Sequence, residues 1–166
     1  MAVEQEWAMA KSHVSVIGSG QCGPNSEGRA LYAAAVELGG LLARNGYVVV
    51  CGGLGGVMEG ACKGAREAGG RTIGILPSSD RTTANAWVEI PIATGLGPMR
   101  NMLVVTNGDV IVAVGGGFGT LSEVALARKT GKPVVAIGDM GAIDGVQRAR
   151  DPEHALSIIK SILERK

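Results

Sequence analysis

The chain has 166 residues, a net charge of +1 and 46% hydrophobic residues, of which few are aromatic. That length carries one domain with a substantial core, and the near-balanced charge, with no basic stripe, argues against nucleic acid as a partner. No apolar run approaches ~20 residues, which argues against a membrane span. The three cysteines, Cys22, Cys51 and Cys62, form no C-x-x-C, so neither a disulfide framework nor a metal site is expected and a reducing, cytoplasmic setting fits.

Residues 1–12 carry Glu4 and Glu6 without a continuous apolar stretch, which predicts a flexible tail rather than a signal peptide. Residues 13–166 then alternate strands and helices. Val14–Ile17 is predicted as the first strand. Asn25 or Ser26 can cap a helix to about Asn45, with Leu31, Ala34, Ala35, Leu38, Leu41 and Leu42 at helical spacing and Gly46 as its stop. Tyr47–Cys51, a helix over Val57–Ala68, and Thr72–Leu76 follow. Pro77 to Trp87 is polar and turn-rich, and Val88–Ile90 is a candidate short strand. A helix is expected over Gly97–Thr106, then strand Val110–Val114, a helix over Leu121–Lys129, strand Pro133–Ile137, a turn within Ile143–Ala149, and a closing helix over Pro152–Glu164. The glycines, 27 in all, cluster at strand ends, where they permit close backbone approach. This order predicts an α/β fold: one Rossmann-like, doubly wound parallel sheet of six to seven strands flanked by helices. Ligands in such sheets bind beyond the strand carboxyl ends.

Three glycine-rich loops follow strands and can share one crevice. Gly18-Ser19-Gly20-Gln21-Cys22-Gly23 has the G-x-G-x-x-G spacing. Pro24 delays the following helix, and strand two ends in Cys51-Gly52-Gly53 without an acid for a ribose hydroxyl, which argues against a dinucleotide. A tight turn on the sheet rim and a loop facing a base or phosphate both remain. Gly52, Gly53, Gly55 and Gly56 lead into Glu59. No Lys-Ser/Thr follows, so this is not a triphosphate loop. Glu59 either complements the helix dipole or touches a ligand.

The third loop is the most informative. Gly115-Gly116-Gly117-Phe118-Gly119-Thr120-Leu121-Ser122-Glu123 joins a buried strand to a helix. Bare N–H groups and the helix N-terminus there suit a phosphate. Thr120 and Glu123 also match a capping box, with Glu123 in the first helical turn. A cap needs none of the preceding glycines, so they favour function. Arg100, close to the start of its helix, opposes the dipole preference; it either serves an anion or Glu123, or is a solvated surface residue.

With these motifs the chain resembles the Lonely Guy family of cytokinin riboside 5′-monophosphate phosphoribohydrolases, within a superfamily often mislabelled lysine decarboxylase. The likeness runs from about Val14 to Leu163. The family's P-G-G-x-G-T-x-x-E stands as Gly115 to Glu123, with Gly115 in place of the proline. Its M-H-x-R-K is matched only at Arg100; Asn101 replaces the lysine and the histidine is missing. Gly52 to Glu59, then Lys63-Gly64-Ala65, also look like this superfamily. A closer likeness is to a branch similar to the molybdenum cofactor carrier proteins of algae and bacteria, which shares the Gly-Lys-Pro-Val-Val at Gly131–Val135. Neither a pyridoxal lysine nor the larger scaffold of a decarboxylase is visible.

The resemblance implies cleavage of the N-glycosidic bond of a nucleoside 5′-monophosphate to base and ribose 5-phosphate, without a cofactor. A carboxylate would stabilise the oxocarbenium-like transition state or activate water. Glu123 and Arg100 are the implied catalytic residues, with Glu59 a weaker carboxylate. Gly116, Gly117, Phe118, Gly119 and Thr120 would form the phosphate cradle, with Gly18, Ser19, Gly20, Gly52, Gly53, Gly55 and Gly56 on the facing loops. The alternative is a carrier that holds a phosphorylated ligand, such as the molybdenum cofactor, without turnover. Hydrolysis is the reading placed first. The resemblance also implies a homodimer or homotetramer, with Val124 to Ala127 among the residues expected to pack between subunits.

Overall fold

The computed structural model describes residues 12–140 and 142–165, so the tail expected over 1–12 lies outside the described residues except for Ser12. Seven strands form one parallel sheet: β1 (His13–Gly18), β2 (Val48–Cys51), β3 (Thr72–Leu76), β4 (Ile90–Ala93), β5 (Val110–Val114), β6 (Val134–Ile137) and β7 (Val146–Ala149). Their order is β4-β3-β2-β1-β5-β6-β7. Among the described residues four α-helices lie between strands, α1 (Ser26–Arg44), α2 (Val57–Glu67), α3 (Asn101–Asn107) and α4 (Phe118–Lys129), and α5 (Pro152–Leu163) follows β7. This is the expected doubly wound, Rossmann-like α/β sheet. Among the described residues no helix is long and apolar enough to cross a membrane.

The central strands are buried and, Ser15 apart, largely apolar because helices cover both faces. One core layer joins Val14, Val16, Val49, Val112 and Val114 to Leu38 and Leu42 of α1 and Ile159 of α5. The other joins Ile17, Val50, Ile111 and Ala113 to Val104 of α3 and Val124 and Ala127 of α4. Ser15 is buried in β1 without penalty, because its hydroxyl donates to the Val104 carbonyl at 2.7 Å.

Local signals set most boundaries. The Asn25 side chain accepts from the Gly28 N–H and caps α1. Asp151 caps α5 in the same way through the His154 N–H, with Pro152 at the first helical position. Several boundaries shift by one residue, and four regions depart further from expectation. The strand expected over Val88–Ile90 lies at Ile90–Ala93, since Pro91 is tolerated on this edge strand. The turn expected within Ile143–Ala149 forms at Asp144–Gly145, closed by the Val146 N–H donating to the Ile143 carbonyl, and Val146–Ala149 then adds an unexpected strand, β7, on the other edge. The helix expected from Gly97 opens as a 3-10 turn over Gly97–Arg100 before α3. Helix α4 begins at Phe118, three residues earlier than expected.

Strands β1 and β5 lie side by side, with Gly18 opposite Val114. The chain leaves β1 toward α1 on one face and β5 toward α4 on the other. The two loops therefore part at the carboxyl edge and open a crevice at the topological switch point.

Candidate functional site

The crevice holds a cavity of about 450 Å³, within the usual range for small-molecule sites. Gly18, Ser19 and Gly20 after β1 form one wall, and Gly117, Gly119 and Thr120 at the start of α4 the opposite one. Gly52 after β2, Arg100 and Glu123 complete the set of expected residues that line it. Met58, Pro77, Gly97, Pro98 and Asn101 also line it. Only the turn signal of Gly97-Pro98 could have drawn these into a sequence-based site.

Gly53, Gly55, Gly56, Glu59, Gly116 and Phe118 lie outside the cavity lining. The second glycine loop braces the first. The Val57 N–H donates to the Ser19 carbonyl at 2.9 Å, and a Cβ on Gly56 would collide with the backbone of Ser19 and Gly20. Glu59 is half-buried beside the cavity and accepts from the Tyr32 hydroxyl at 3.4 Å. Phe118 projects into solvent, 93% exposed.

Helix α4 has Gly117 as its N-cap, with no side chain bonded to its first N–H groups. Those donors are bare and carry the positive end of the helix dipole. A Cβ at Gly117 or Gly119 would meet nothing within 4 Å, so both glycines face open space. The expected capping box is absent, because Thr120 is the third residue of the helix rather than its cap. Glu123 consequently falls in the second turn, not the first, and points back beneath the crevice.

Glu123 is 6% and Arg100 8% exposed, so Arg100 is not a solvated surface residue. The Arg100 Nη1 stands 3.8 Å from the Glu123 Oε1. Burial raises the Glu123 pKa to about 7, despite the opposing pull of Arg100. Burial likewise lowers the Arg100 pKa, and Glu123 acts in the other direction. Arg100 also donates to the Asn101 Oδ1. The Asn101 Nδ2 reaches the Ser122 hydroxyl at 3.4 Å, which donates to the Gly119 carbonyl at 2.6 Å. This chain ties the start of α3 to the start of α4. The Arg100 Nε is buried and has no hydrogen-bond partner among the described residues.

The SLOG cluster4 family matches residues 11–162. The chain belongs to that family. Two solved structures extend the SLOG cluster4 relationship. The molybdenum cofactor binding protein of Rippkaea orientalis is 40% identical, with a TM-score of 0.86 over 94% of this chain and 99% of its own. The molybdenum cofactor carrier protein of Chlamydomonas reinhardtii is 38% identical, with a TM-score of 0.84 over 93% and 99%. The Mycobacterium tuberculosis cytokinin riboside 5′-monophosphate phosphoribohydrolase is 31% identical over 127 residues, 70% of this chain and 67% of its own. This SLOG cluster4 protein is thus a Rossmann-like relative of Lonely Guy enzymes with a close structural relation to cofactor carriers.

One surface of this chain is apolar. Met99 before α3, Met102 on α3 and Ala125 on α4 are exposed along a groove of about 560 Å³, and Leu121 is exposed on α4. Val124 and Ala127, expected between subunits, are buried in the chain's own core instead.

Proposed function

We propose that this protein binds a phosphorylated small molecule in the β1/β5 crevice and holds it without turnover, with the molybdenum cofactor as the favoured cargo. The carrying observation is the bare N-terminus of α4 facing the β1 loop across the cavity, with Arg100 between them. Gly117 N–H and its neighbours would take the phosphate. Arg100, through its unpaired Nε and its charge, would take a second acceptor on the ligand. Identity of 38–40% to a molybdenum cofactor binding protein and a carrier protein over nearly their whole length, against 31–36% over shorter spans to phosphoribohydrolases, supports cargo binding over hydrolysis.

Two departures from the hydrolase motif support the same choice. Gly115 stands where the motif has proline and adopts φ +55°. Proline, held near −65°, cannot follow that path. Asn101 stands where the motif has lysine, and its amide ties two helix ends together instead of supplying a charge.

Glu123 fits beside a phosphate because burial keeps much of it protonated near neutrality. The protonated carboxyl donates a hydrogen bond to an anion; the ionised form repels it. The same raised pKa favours the second reading, hydrolysis of a nucleoside 5′-monophosphate, since a carboxyl near pH 7 suits general acid–base work. Titrating the protein with inorganic phosphate, AMP and molybdenum cofactor, with an assay for free base and ribose 5-phosphate, separates the two. Binding without release supports the carrier; release that vanishes in Glu123→Gln supports the hydrolase.

We propose further that two copies associate through the Met99, Met102, Leu121 and Ala125 face, whose exposed methionines and leucine suit burial against a second apolar surface.

A further inference from the structure

Two cysteines pack with Met58, a residue of the cavity lining. Cys51 ends β2, and Cys62 lies in the second turn of α2. Both are fully buried, and their Sγ atoms are 3.4 Å apart. A disulfide closes at ~2.05 Å, so bond formation needs a shift of only about 1.4 Å. The pair is joined to the cavity by chain connectivity on both sides. Gly52, next to Cys51, lines the cavity and lies against the Arg100 guanidinium, while Met58, on α2 with Cys62, lines it as well. Met58 packs with both cysteines, and Leu54, Trp87 and Val88 enclose the cluster.

The two thiols are electronically unequal. Cys51 accepts from the Gly53 N–H at 3.3 Å and makes the sulfur contact with Cys62. The Cys62 thiol bond lowers the Cys51 pKa most, with Gly53 and the Arg100 charge adding to it against the cost of burial. The Cys62 pKa is raised, chiefly by the same bond to Cys51. The Gly53 N–H directed at the Cys51 Sγ makes Cys51 the sulfur better placed to attack and Cys62 the thiol that follows.

We propose that Cys51 and Cys62 form a redox-sensitive dithiol whose oxidation to a disulfide by a small hydroperoxide rearranges the cavity floor and weakens ligand binding. The Cys51 thiolate attacks the terminal peroxide oxygen. The O–O bond breaks and the departing oxygen leaves as water or alcohol after taking a proton. Cys62 then attacks the resulting sulfenic sulfur, the S–S bond forms, and water leaves. Two thiols lose two electrons in total, and the hydroperoxide takes them up. Closure draws α2 onto β2 and removes the thiolate acceptor from the Gly53 N–H, which displaces Gly52 beneath Arg100. The effect on the ligand rests on the proposed binding function; the dithiol chemistry does not.

The test treats the full chain carrying Cys22→Ser with hydrogen peroxide and follows three readouts. Peptide mapping without reductant is expected to give a Cys51–Cys62 linkage that dithiothreitol reverses. Hydrogen exchange over residues 52–58 is expected to change on oxidation, and not in Cys62→Ser. AMP affinity, measured calorimetrically, is expected to fall severalfold in the oxidised form and recover on reduction. Absence of the linkage in the folded protein, or a linkage that leaves exchange or the affinity of a binding-competent protein unchanged, would overturn the proposal. Should reduced protein fail to bind AMP or any phosphorylated probe, the binding function fails, and mapping with hydrogen exchange still decides the dithiol.

Discussion

Arg100 Nη1 and Glu123 Oε1 face each other across 3.8 Å under the crevice, both nearly sealed from water. The separation exceeds a direct hydrogen bond, so the pair is an electrostatic couple with room for a ligand to compete for the cation. Burial leaves the carboxyl with a pKa of about 7.

That pKa has a defined consequence for stability. The folded value stands above the unfolded one of about 4.3, so the native state holds the proton more tightly in between. Stability is therefore greatest below about pH 4.3 as far as this group is concerned, and declines as pH rises toward about 7, by about 4 kcal/mol in all. Glu123→Gln is expected to remove that component. Denaturant unfolding of both proteins between about pH 4 and pH 7, the window set by the two pKa values, checks it through the difference in slope.

Ligand affinity is expected to follow the same proton. As pH rises through about 7, ionised Glu123 repels a bound phosphate, and affinity of the wild type falls relative to Glu123→Gln. Because AMP itself titrates near pH ~6, the ratio of the two proteins' dissociation constants is the quantity to follow. A ratio independent of pH would remove Glu123 from the anion site.

The glycines divide into those that face ligand and those that face protein. Gly119→Ala adds a methyl where nothing stands within 4 Å and lies inside a helix. It is expected to leave stability unchanged or raise it by about 0.5–1 kcal/mol, while lowering affinity for phosphate ligands. Gly18→Ala would press on the Val114 carbonyl and the Val57 side chain at 2.6 Å, and is expected to destabilise by about 1–3 kcal/mol. Melting curves with and without AMP distinguish the two behaviours.

Association through the α3/α4 face is checked with Met102→Glu. The exposed methionine tolerates the charge in a lone chain, so the variant is expected to remain folded and to scatter light as a 16.9 kDa monomer, whereas the wild type forms at least a dimer. A monomeric wild type at micromolar concentration would dismiss this interface.

The central sheet was legible because buried strands such as Val110–Val114 are uninterrupted apolar runs, and because Asn25 and Gly46 mark both ends of α1 through local chemistry. The edges were not legible. β4 contains Pro91 and β7 contains Gln147 and Arg148, residues that only an edge strand accepts. The glycine loop was visible as a phosphate cradle, but the start of α4 was not, since Gly117 caps it without any side-chain signature. That shift moved Glu123 from the first turn to the second. Its approach to Arg100, and the contact between Cys51 and Cys62, join residues from separate elements that no local pattern connects. The preference for hydrolysis rested on Glu123 and Arg100, residues that a binding site uses equally well.

The most direct measurement is gel filtration of the protein after incubation with molybdenum cofactor freshly released from a molybdoenzyme, with molybdenum and pterin followed across the column. Co-elution with the wild type, lost in Arg100→Met, is the result this account predicts. Cofactor that elutes free of the wild-type protein, while the same preparation splits AMP into adenine and ribose 5-phosphate, would contradict it.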